Sequence, residues 1–409
     1  MPSTIVIIGA GFAGVWSALS AKRLIDLKNR GGAVSIIVIA PEPHLVMRPR
    51  LYEPNASSFK HPLTELFESA GVRFLQGTVE TIDTRAHAVR VRSPTGAESD
   101  VTFDRLVLAA GSSVVRPQSV AGLRQHAFDI DTLETAVELE AHLEGLASLA
   151  PSPARDTVVV CGAGFTGIEL AAELPKRLKH LASPRVVLVE GAGQVGPELG
   201  PGPRPVIAEA LGSLAVQVRL GSAVAAVDPE GVTLVSGERI ETLTAVWTAG
   251  VRATPLTRQI PGARDGLSRV HVDRHLRSPS SERVFVTGDA ACASADDQGH
   301  RALMSCQHAL QLGRVSGYNA AADLINVPLL EYSQEAYKCC LDLGSWGAVV
   351  TGGWEREVEL RGDLAKRVKG YINRKLIYPP PGAREALQAA DPAGPGSDEL
   401  LKQVTAVVG

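Results

Sequence analysis

Cysteine is sparse and unpatterned in this chain. The five cysteines, Cys161, Cys292, Cys306, Cys339 and Cys340, form no C-x-x-C pair and no zinc-ligand spacing. That excludes a disulfide scaffold and a cysteine metal centre, and buried, reduced thiols suited to a reducing cytoplasm are expected. Aromatic residues make up only 4% of the chain. With 40 glycines instead, the chain reads as tight α/β packing with sites dominated by backbone. Charge of one sign is lacking too: a net charge of -3 gives no general attraction to nucleic acid or to an anionic membrane. No uncharged apolar run reaches the ~18 residues that would span a bilayer. The N-terminus has no basic start, and its apolar run is broken by glycines, so it is not read as a signal peptide. No catalytic triad and no metal cluster stand out.

Two glycine-rich segments are what the chain does have. Ile5-Val-Ile-Ile-Gly-Ala-Gly-Phe-Ala-Gly14 lies at the N-terminus, and Val158-Val-Val-Cys-Gly-Ala-Gly-Phe-Thr-Gly167 repeats its pattern. Each follows an apolar run that reads as a buried strand and opens an amphipathic stretch that reads as a helix. The first unit is expected as a strand at 4–9, a helix at 12–30 and a strand at 35–40. The second is expected as a strand at 157–162, a helix at 165–181 and a strand at 185–190. In each, the first glycine (Gly9, Gly162) permits a tight turn. The second (Gly11, Gly164) lets backbone approach a pyrophosphate. The third (Gly14, Gly167) lets helix and strand pack closely. The helix N-terminus then offers free N–H groups and partial positive charge to phosphates. One such motif suggests one dinucleotide. Two suggest two held against each other, most naturally a flavin dinucleotide and a nicotinamide dinucleotide.

The two units differ in their acids. Glu190 ends the second strand of the second unit, where a carboxylate bonds both ribose hydroxyls and repels a 2′-phosphate. That favours NADH over NADPH. The first unit ends Ile39-Ala-Pro-Glu42, so the acid is missing at the usual place and Glu42 lies beyond it. Losing one ribose hydrogen bond costs roughly 0.5–1.5 kcal/mol, which a large cofactor tolerates. Glu169 and Glu173 stand at i and i+4 on the second helix and share a face. They either face the contact between the two cofactors or merely complement the helix dipole. Thr287-Gly288-Asp289 follows a buried strand; Asp289 is a helix N-cap or a partner for the flavin's ribityl chain.

Together these motifs resemble the two-dinucleotide-domain flavoproteins and, within them, the type II NADH dehydrogenases, which are NADH:quinone oxidoreductases. The resemblance covers most of the chain. It includes G-F-T-G-I-E-L-A-A-E-L at 164–174, Trp247-Thr-Ala-Gly250, the T-G-D segment, Cys306-Gln-His-Ala-Leu-Gln311 and Ile372-Asn-Arg-Lys-Leu-Ile-Tyr-Pro-Pro380. It implies an α/β fold of two Rossmann-like dinucleotide-binding domains, the NAD domain inserted in the FAD domain, with a small C-terminal α+β region. The boundaries expected are 1–120 and 266–328 for the FAD domain, 121–265 for the NAD(H) domain and 329–409 for the C-terminal domain.

On that likeness FAD would be held by Gly9, Gly11, Phe12, Ala13, Gly14, Glu42, Arg48, Ala110, Gly111, Gly288, Asp289 and Gln307. NADH would be held by Gly162, Gly164, Phe165, Thr166, Gly167, Glu169, Glu190 and Gly250. Glu173, Gln307 and Gln311 would be the catalytic set at the acceptor side. His308 reads as a packed or surface histidine, and Trp346 and Trp354 as packing under the C-terminal strands.

Three departures bear on function. The flavin-ribose acid is absent. Cys306 stands where the family has alanine. The tail 379–398 is Pro/Gly/Ala-rich and reads as irregular, where the family often ends in membrane-binding helices. The basic segment 363–376, with Lys366, Arg367, Lys369, Arg374 and Lys375, is either a solvated helix face or a peripheral membrane contact. A cytoplasmic protein is expected, with peripheral placement at the inner face of the cell membrane and a homodimer left open. The segment 44–52 contains no cysteine, which excludes disulfide reduction by this superfamily's usual route. The activity implied is transfer of hydride from NADH to FAD and of two electrons onward to a quinone. Two alternatives stay open: an NADH-dependent reductase of a non-quinone small molecule or an electron-carrier protein, and a redox-signalling flavoprotein similar to apoptosis-inducing factor.

Overall fold

The computed structural model describes residues 2–409. Its first sheet has six strands in the order 277–278, 281–286, 105–108, 3–8, 34–40 and 73–76. All are parallel except the short edge strand 277–278. Strand Ser3–Ile8 lies at the centre, in register with the next strand from Ser3↔Val34 to Ile8↔Ile39. Alternate residues point to opposite faces, so an unbroken apolar run means that both faces are covered. Ile5 and Ile7 pack beneath the helix Phe12–Leu27 with Trp16 and Leu19, while Val6 and Ile8 pack on the other side with Leu106 and Val284. Each such side chain, taken out of water, contributes roughly 1.5–3 kcal/mol.

The second sheet is wholly parallel, in the order 127–128, 244–247, 157–161, 185–189 and 217–219. Its helix Phe165–Arg177 is shorter than the expected 165–181 and contains Pro175. The chain leaves the first sheet and returns to it through two adjacent segments, Ser112–Val114 and Val251–Ala253, which pair antiparallel. A small antiparallel sheet flanks each large one, at 78–83, 88–92 and 98–102, and at 224–228, 231–234 and 239–241. Of these six strands, 78–83, 98–102 and 239–241 carry many polar residues and have no clear apolar signature in the sequence.

The long helix Cys306–Leu324 lies across the first fingerprint helix at very short range. A Cβ added at Gly313 would sit 2.4 Å from the Ala13 carbonyl oxygen, and one at Gly317 would sit 2.0 Å from that of Ser17. The Ser17 hydroxyl donates to Gly313 O at 3.1 Å. Glycine is obligatory there because two backbones touch.

The C-terminal region is an antiparallel sheet, Lys338–Asp342, Ala348–Gly352 and Glu357–Arg361, backed by helix Gly362–Tyr371. The tail is a correction to the sequence reading. Instead of an irregular 379–398 it forms helices Ala383–Ala389 and Ser397–Val408. Ala386 and Ala390 are buried, and Leu401, Val404 and Val408 pack with Ala365 and Val368. Proline and glycine of 379–396 lie outside these helices, before the first and between the two. Among the described residues no helix is long and apolar enough to cross a membrane, and no cluster of His, Cys, Asp and Glu could hold a metal ion. All five cysteines are free, with Cys161, Cys292 and Cys339 buried.

Candidate functional site

The first glycine turn has the strained geometry its sequence demands. Gly9 has φ +109°, and a Cβ at Gly14 would lie 1.9 Å from the Gly9 carbonyl oxygen. By contrast, space around Gly11 is open, and no side chain caps the helix that begins at Phe12. Free N–H groups therefore face an empty region, the arrangement a pyrophosphate requires. Ala110 and Gly111 follow the adjacent strand 105–108, and Gly111 (φ +67°) also faces open space. Gly288 closes the far side: a Cβ there would meet that of Ala13 at 2.8 Å.

Beyond Gly288 lies a polar cluster. Ser112 Oγ donates to Asp289 Oδ2 at 2.6 Å, and Arg48 donates to Ser112 Oγ at 2.9 Å. Arg48 pairs with Asp131 and lies 3.7 Å from Asp289. The hydroxyl of Thr287 is buried without a partner. These groups fit a flavin dinucleotide, with diphosphate at the helix end and polyhydroxyl chain at Asp289. Glu42 is exposed two residues past the end of its strand and makes none of these contacts.

The second turn repeats the first. Gly162 has φ +112°, a Cβ at Gly167 would lie 1.8 Å from the Gly162 carbonyl oxygen, and Gly164 faces open space. Phe165 and Thr166 open an uncapped helix, and Gly250 (φ +84°) borders the same opening. Glu190 sits at the strand end, its oxygens accepting from Ala163 N–H at 2.7 Å and Ala192 N–H at 2.8 Å. The donor set fits a second dinucleotide.

Glu169 and Glu173 are both buried, at 3% and 4% exposure, yet their surroundings differ. Glu173 pairs with Lys176, whose side chain is 57% exposed. Glu169 pairs at 2.8 Å with Lys369, which is itself buried, and it accepts from Asp342 N–H at 2.9 Å. Burial pushes the Glu169 carboxyl up to about 7 against the pull of Lys369. Burial would lower the Lys369 ammonium, but Glu169 and neighbouring groups hold it protonated and raised. The ammonium also donates to Cys340 O at 3.0 Å and lies over the rings of Phe165 and Tyr52. Tyr52 donates to Asp342 Oδ2 at 3.0 Å, and Lys366 Nζ donates to Asp342 Oδ1 at 2.5 Å.

Lys369 therefore corrects one sequence reading. It belongs to a basic segment expected to face solvent or membrane, and only Arg367, Arg374 and Lys375 of that segment do so. Tyr52 and Asp342 were not singled out in the sequence at all. The one sequence signal for Lys369 was its place one turn after Ala365 and beside Val368, on the buried face of an amphipathic helix, too weak to read as a buried charge.

The head of the long helix joins the two halves. Ser305 caps it, accepting from His308 N–H at 3.3 Å. The Cys306 thiol, raised by burial, lies within electrostatic reach of Lys369, Glu169 and Asp289. Gln307 is half-buried on the same turn. Gln311, one turn on, donates to the Pro392 carbonyl at 2.8 Å and so ties down the tail. Of the expected acceptor-side residues, Gln307 stands on the turn with Cys306, while Glu173 pairs with Lys176 and Gln311 with the Pro392 carbonyl; Glu169, expected among the residues holding NADH, is the carboxylate paired with Lys369.

Comparison with known proteins adds four findings. The chain is 46% identical over 94% of its length to an NADH dehydrogenase-like protein of Mycobacterium tuberculosis, covering 97% of it. It is 27% identical over 91% of its length to a type II NADH:quinone oxidoreductase of Staphylococcus epidermidis, covering 95% of that protein. A structure of NDH2 from Plasmodium falciparum in complex with NADH shares the fold, with a TM-score of 0.76 at 13% identity over 95% of this chain and 97% of that one. Residues 3–313 match the pyridine nucleotide-disulphide oxidoreductase family model, and the chain belongs to that family.

Proposed function

We propose that this protein is an FAD-dependent NADH dehydrogenase that delivers electrons to a quinone. It is an oxidoreductase, and its cofactors are FAD and NADH. Residues 1–120 and 266–328 would hold the flavin, 121–265 the nicotinamide dinucleotide, and 329–409 the acceptor side. The observation that carries the reading is that the Cys306 thiol, at the head of the long helix, lies within electrostatic reach of both Asp289 and the Glu169–Lys369 pair. Relatives named for NADH dehydrogenation and for NADH:quinone oxidoreduction support it.

When bound, the flavin supplies the redox chemistry, taking hydride from NADH and passing two electrons to the acceptor. The chain's own groups do the rest. The two uncapped helix ends and Glu190 fix the dinucleotides, so that proximity does the work of alignment. Reducing a quinone to a quinol consumes two protons, and hydride brings only one. A buried carboxyl with a pKa near 7, beside a protonated lysine, is suited to hold the second near the acceptor. Gln307 would orient the acceptor's carbonyl. The exposed Arg367, Arg374 and Lys375 would make any membrane contact peripheral and electrostatic.

The test is anaerobic mixing of the yellow holoprotein with NADH, then with menadione, while flavin absorbance is followed. Bleaching by NADH and rapid recovery with menadione is the expected result. Bleaching without recovery would remove the quinone from the reading, and no bleaching would remove NADH.

A further inference from the structure

The mechanism above does not use a group of buried donors that lies one step beyond the junction. The turn joining strands Ala348–Gly352 and Glu357–Arg361 carries Trp354 and Arg356. Arg356 is 6% exposed, and its Nη1 has no hydrogen-bond partner among the described residues. The guanidinium lies 4.3 Å from the centre of the Tyr337 ring, and no carboxylate pairs with it among the described residues. Its backbone is left-handed, with φ +60°. Two further polar atoms share the cluster and are buried without partners: Trp354 Nε1 and His308 Nε2. The rings stand together, Tyr337 at 4.7 Å from His308 and 5.8 Å from Trp354. His300 stacks on Trp354 at 4.5 Å with 4° between the planes.

The location links this cluster to both cofactor sites. On one side the turn presses on the loop that follows the Glu190 strand: a Cβ at Gly202 would lie 2.2 Å from the Arg356 carbonyl oxygen. On the other, His308 belongs to the first turn of the long helix, and the next residue, Ala309, lies against Gly288.

We propose that this turn and the head of the long helix recognise the electron acceptor, and that the acceptor is a planar aromatic anion: a quinone-type ring bearing a carboxylate or an ionised hydroxyl. The inference rests on the functional reading above and narrows its substrate class. A buried cation that meets the ring and hydroxyl of Tyr337 but no carboxylate among the described residues lacks a counter-charge, and a planar carboxylate matches a guanidinium fork. Trp354 Nε1 supplies a second donor, and the place His300 holds on the indole is one that a flat ring can take. His308 stays neutral, its pKa lowered to about 3 first by burial and then by Arg356 and Arg269, so it adds no competing charge. Gly353, at φ +66° with open space around it, lets the turn move to admit a ring. A neutral quinone on an isoprenoid tail would leave Arg356 as it stands, uncompensated.

The test uses two redox-inert ligands of one shape, 2-naphthoate and its neutral carboxamide, on the FAD-loaded protein. Binding is read by quenching of tryptophan emission and by competition with menadione in flavin reoxidation. The naphthoate is expected to bind at least about tenfold more tightly, as a charge-assisted hydrogen bond requires. Arg356→Gln should abolish that preference, and Arg356→Lys should restore part of it. Flavin content and melting temperature report whether each variant folds. Should Arg356→Gln fail to fold, the ligand pair on the unaltered protein and Arg356→Lys still decide. Equal binding of the two ligands, or an undiminished preference in Arg356→Gln, overturns the inference. If the unaltered protein turns over menadione yet treats the ligands alike, only this inference falls. If NADH and menadione produce no turnover, the functional reading falls with it.

Discussion

The two dinucleotide units make the same local demands and receive different surroundings. Gly9 and Gly162 turn at φ +109° and +112°, and Gly14 and Gly167 press equally close on the preceding carbonyl. Beyond the turn they diverge. The first helix is sealed under the long helix, backbone against backbone at Gly313 and Gly317, and its strand ends in Ala40 with no acid. The second helix carries two buried carboxylates, and its covering element is the C-terminal sheet: a Cβ at Gly344 would lie 2.0 Å from the Ala172 carbonyl oxygen. One helix is covered backbone against backbone, the other carries a buried ion pair under its cover. A fingerprint specifies a phosphate cradle; what packs on the helix behind it specifies the chemistry.

The largest effects should come from filling the glycine positions. Gly14→Val and Gly167→Val each force branched carbons into a carbonyl oxygen, a clash on the order of 3 kcal/mol or more. Gly14→Val is expected to yield colourless or insoluble protein. Gly167→Val is expected to stay yellow and lose bleaching by NADH. If both variants lose flavin, the units are not separable and the comparison breaks.

Smaller but still substantial effects should separate the two glutamates of the second helix. Glu169→Gln removes the carboxylate that Lys369 pairs with and should cost more in urea unfolding than Glu173→Gln, the cost shrinking as pH rises through 7. Glu169→Gln with Lys369→Met should recover much of that loss. Glu173→Gln should cost about 1 kcal/mol or less, because Lys176 remains solvated. The pH dependence follows from the raised carboxyl. A folded-state pKa of about 7 against an unfolded value of 4.5 means that the native state binds the extra proton between those limits. The stabilisation from Glu169 is therefore complete below about pH 4.5 and is lost as pH rises through 7. Lys369 stays protonated throughout this window. Flavin reoxidation by a quinone should show an inflection near pH 7 that Glu169→Gln removes; an unchanged profile would take Glu169 out of the proton path.

The smallest effects should compare the acids at the two strand ends. Glu190→Ala should raise the KM for NADH by about tenfold, the weight of a charge-assisted hydrogen bond, and leave that for NADPH nearly unchanged. Glu42→Ala should not alter flavin retention on gel filtration. Loss of flavin from Glu42→Ala would show that the exposed carboxylate reaches back after all.

What was legible in the sequence follows short-range rules. Alternation and continuity of apolar residues marked the strands 3–8, 34–40, 157–161 and 185–189 almost to the residue, because a strand covered on both faces must be apolar at every position. Glycine spacing marked both cradles, since only a missing Cβ lets a helix meet its own turn. The strand 78–83 escaped notice because a sheet with one wet face needs few apolar residues. The tail helices escaped because proline and glycine counts say nothing of alanines packed between them.

Sequence alone thus determined the two cradles, the fold class and the acid at Glu190, all set by neighbours within a few residues. Only the tertiary structure decided that Lys369 turns inward to Glu169, that Gln311 holds the tail, and that Arg356 is buried beside Tyr337. Those contacts join segments far apart in the chain. The sign and cost of a buried charge depend on the dielectric and partners around it, which come into being only when distant segments pack.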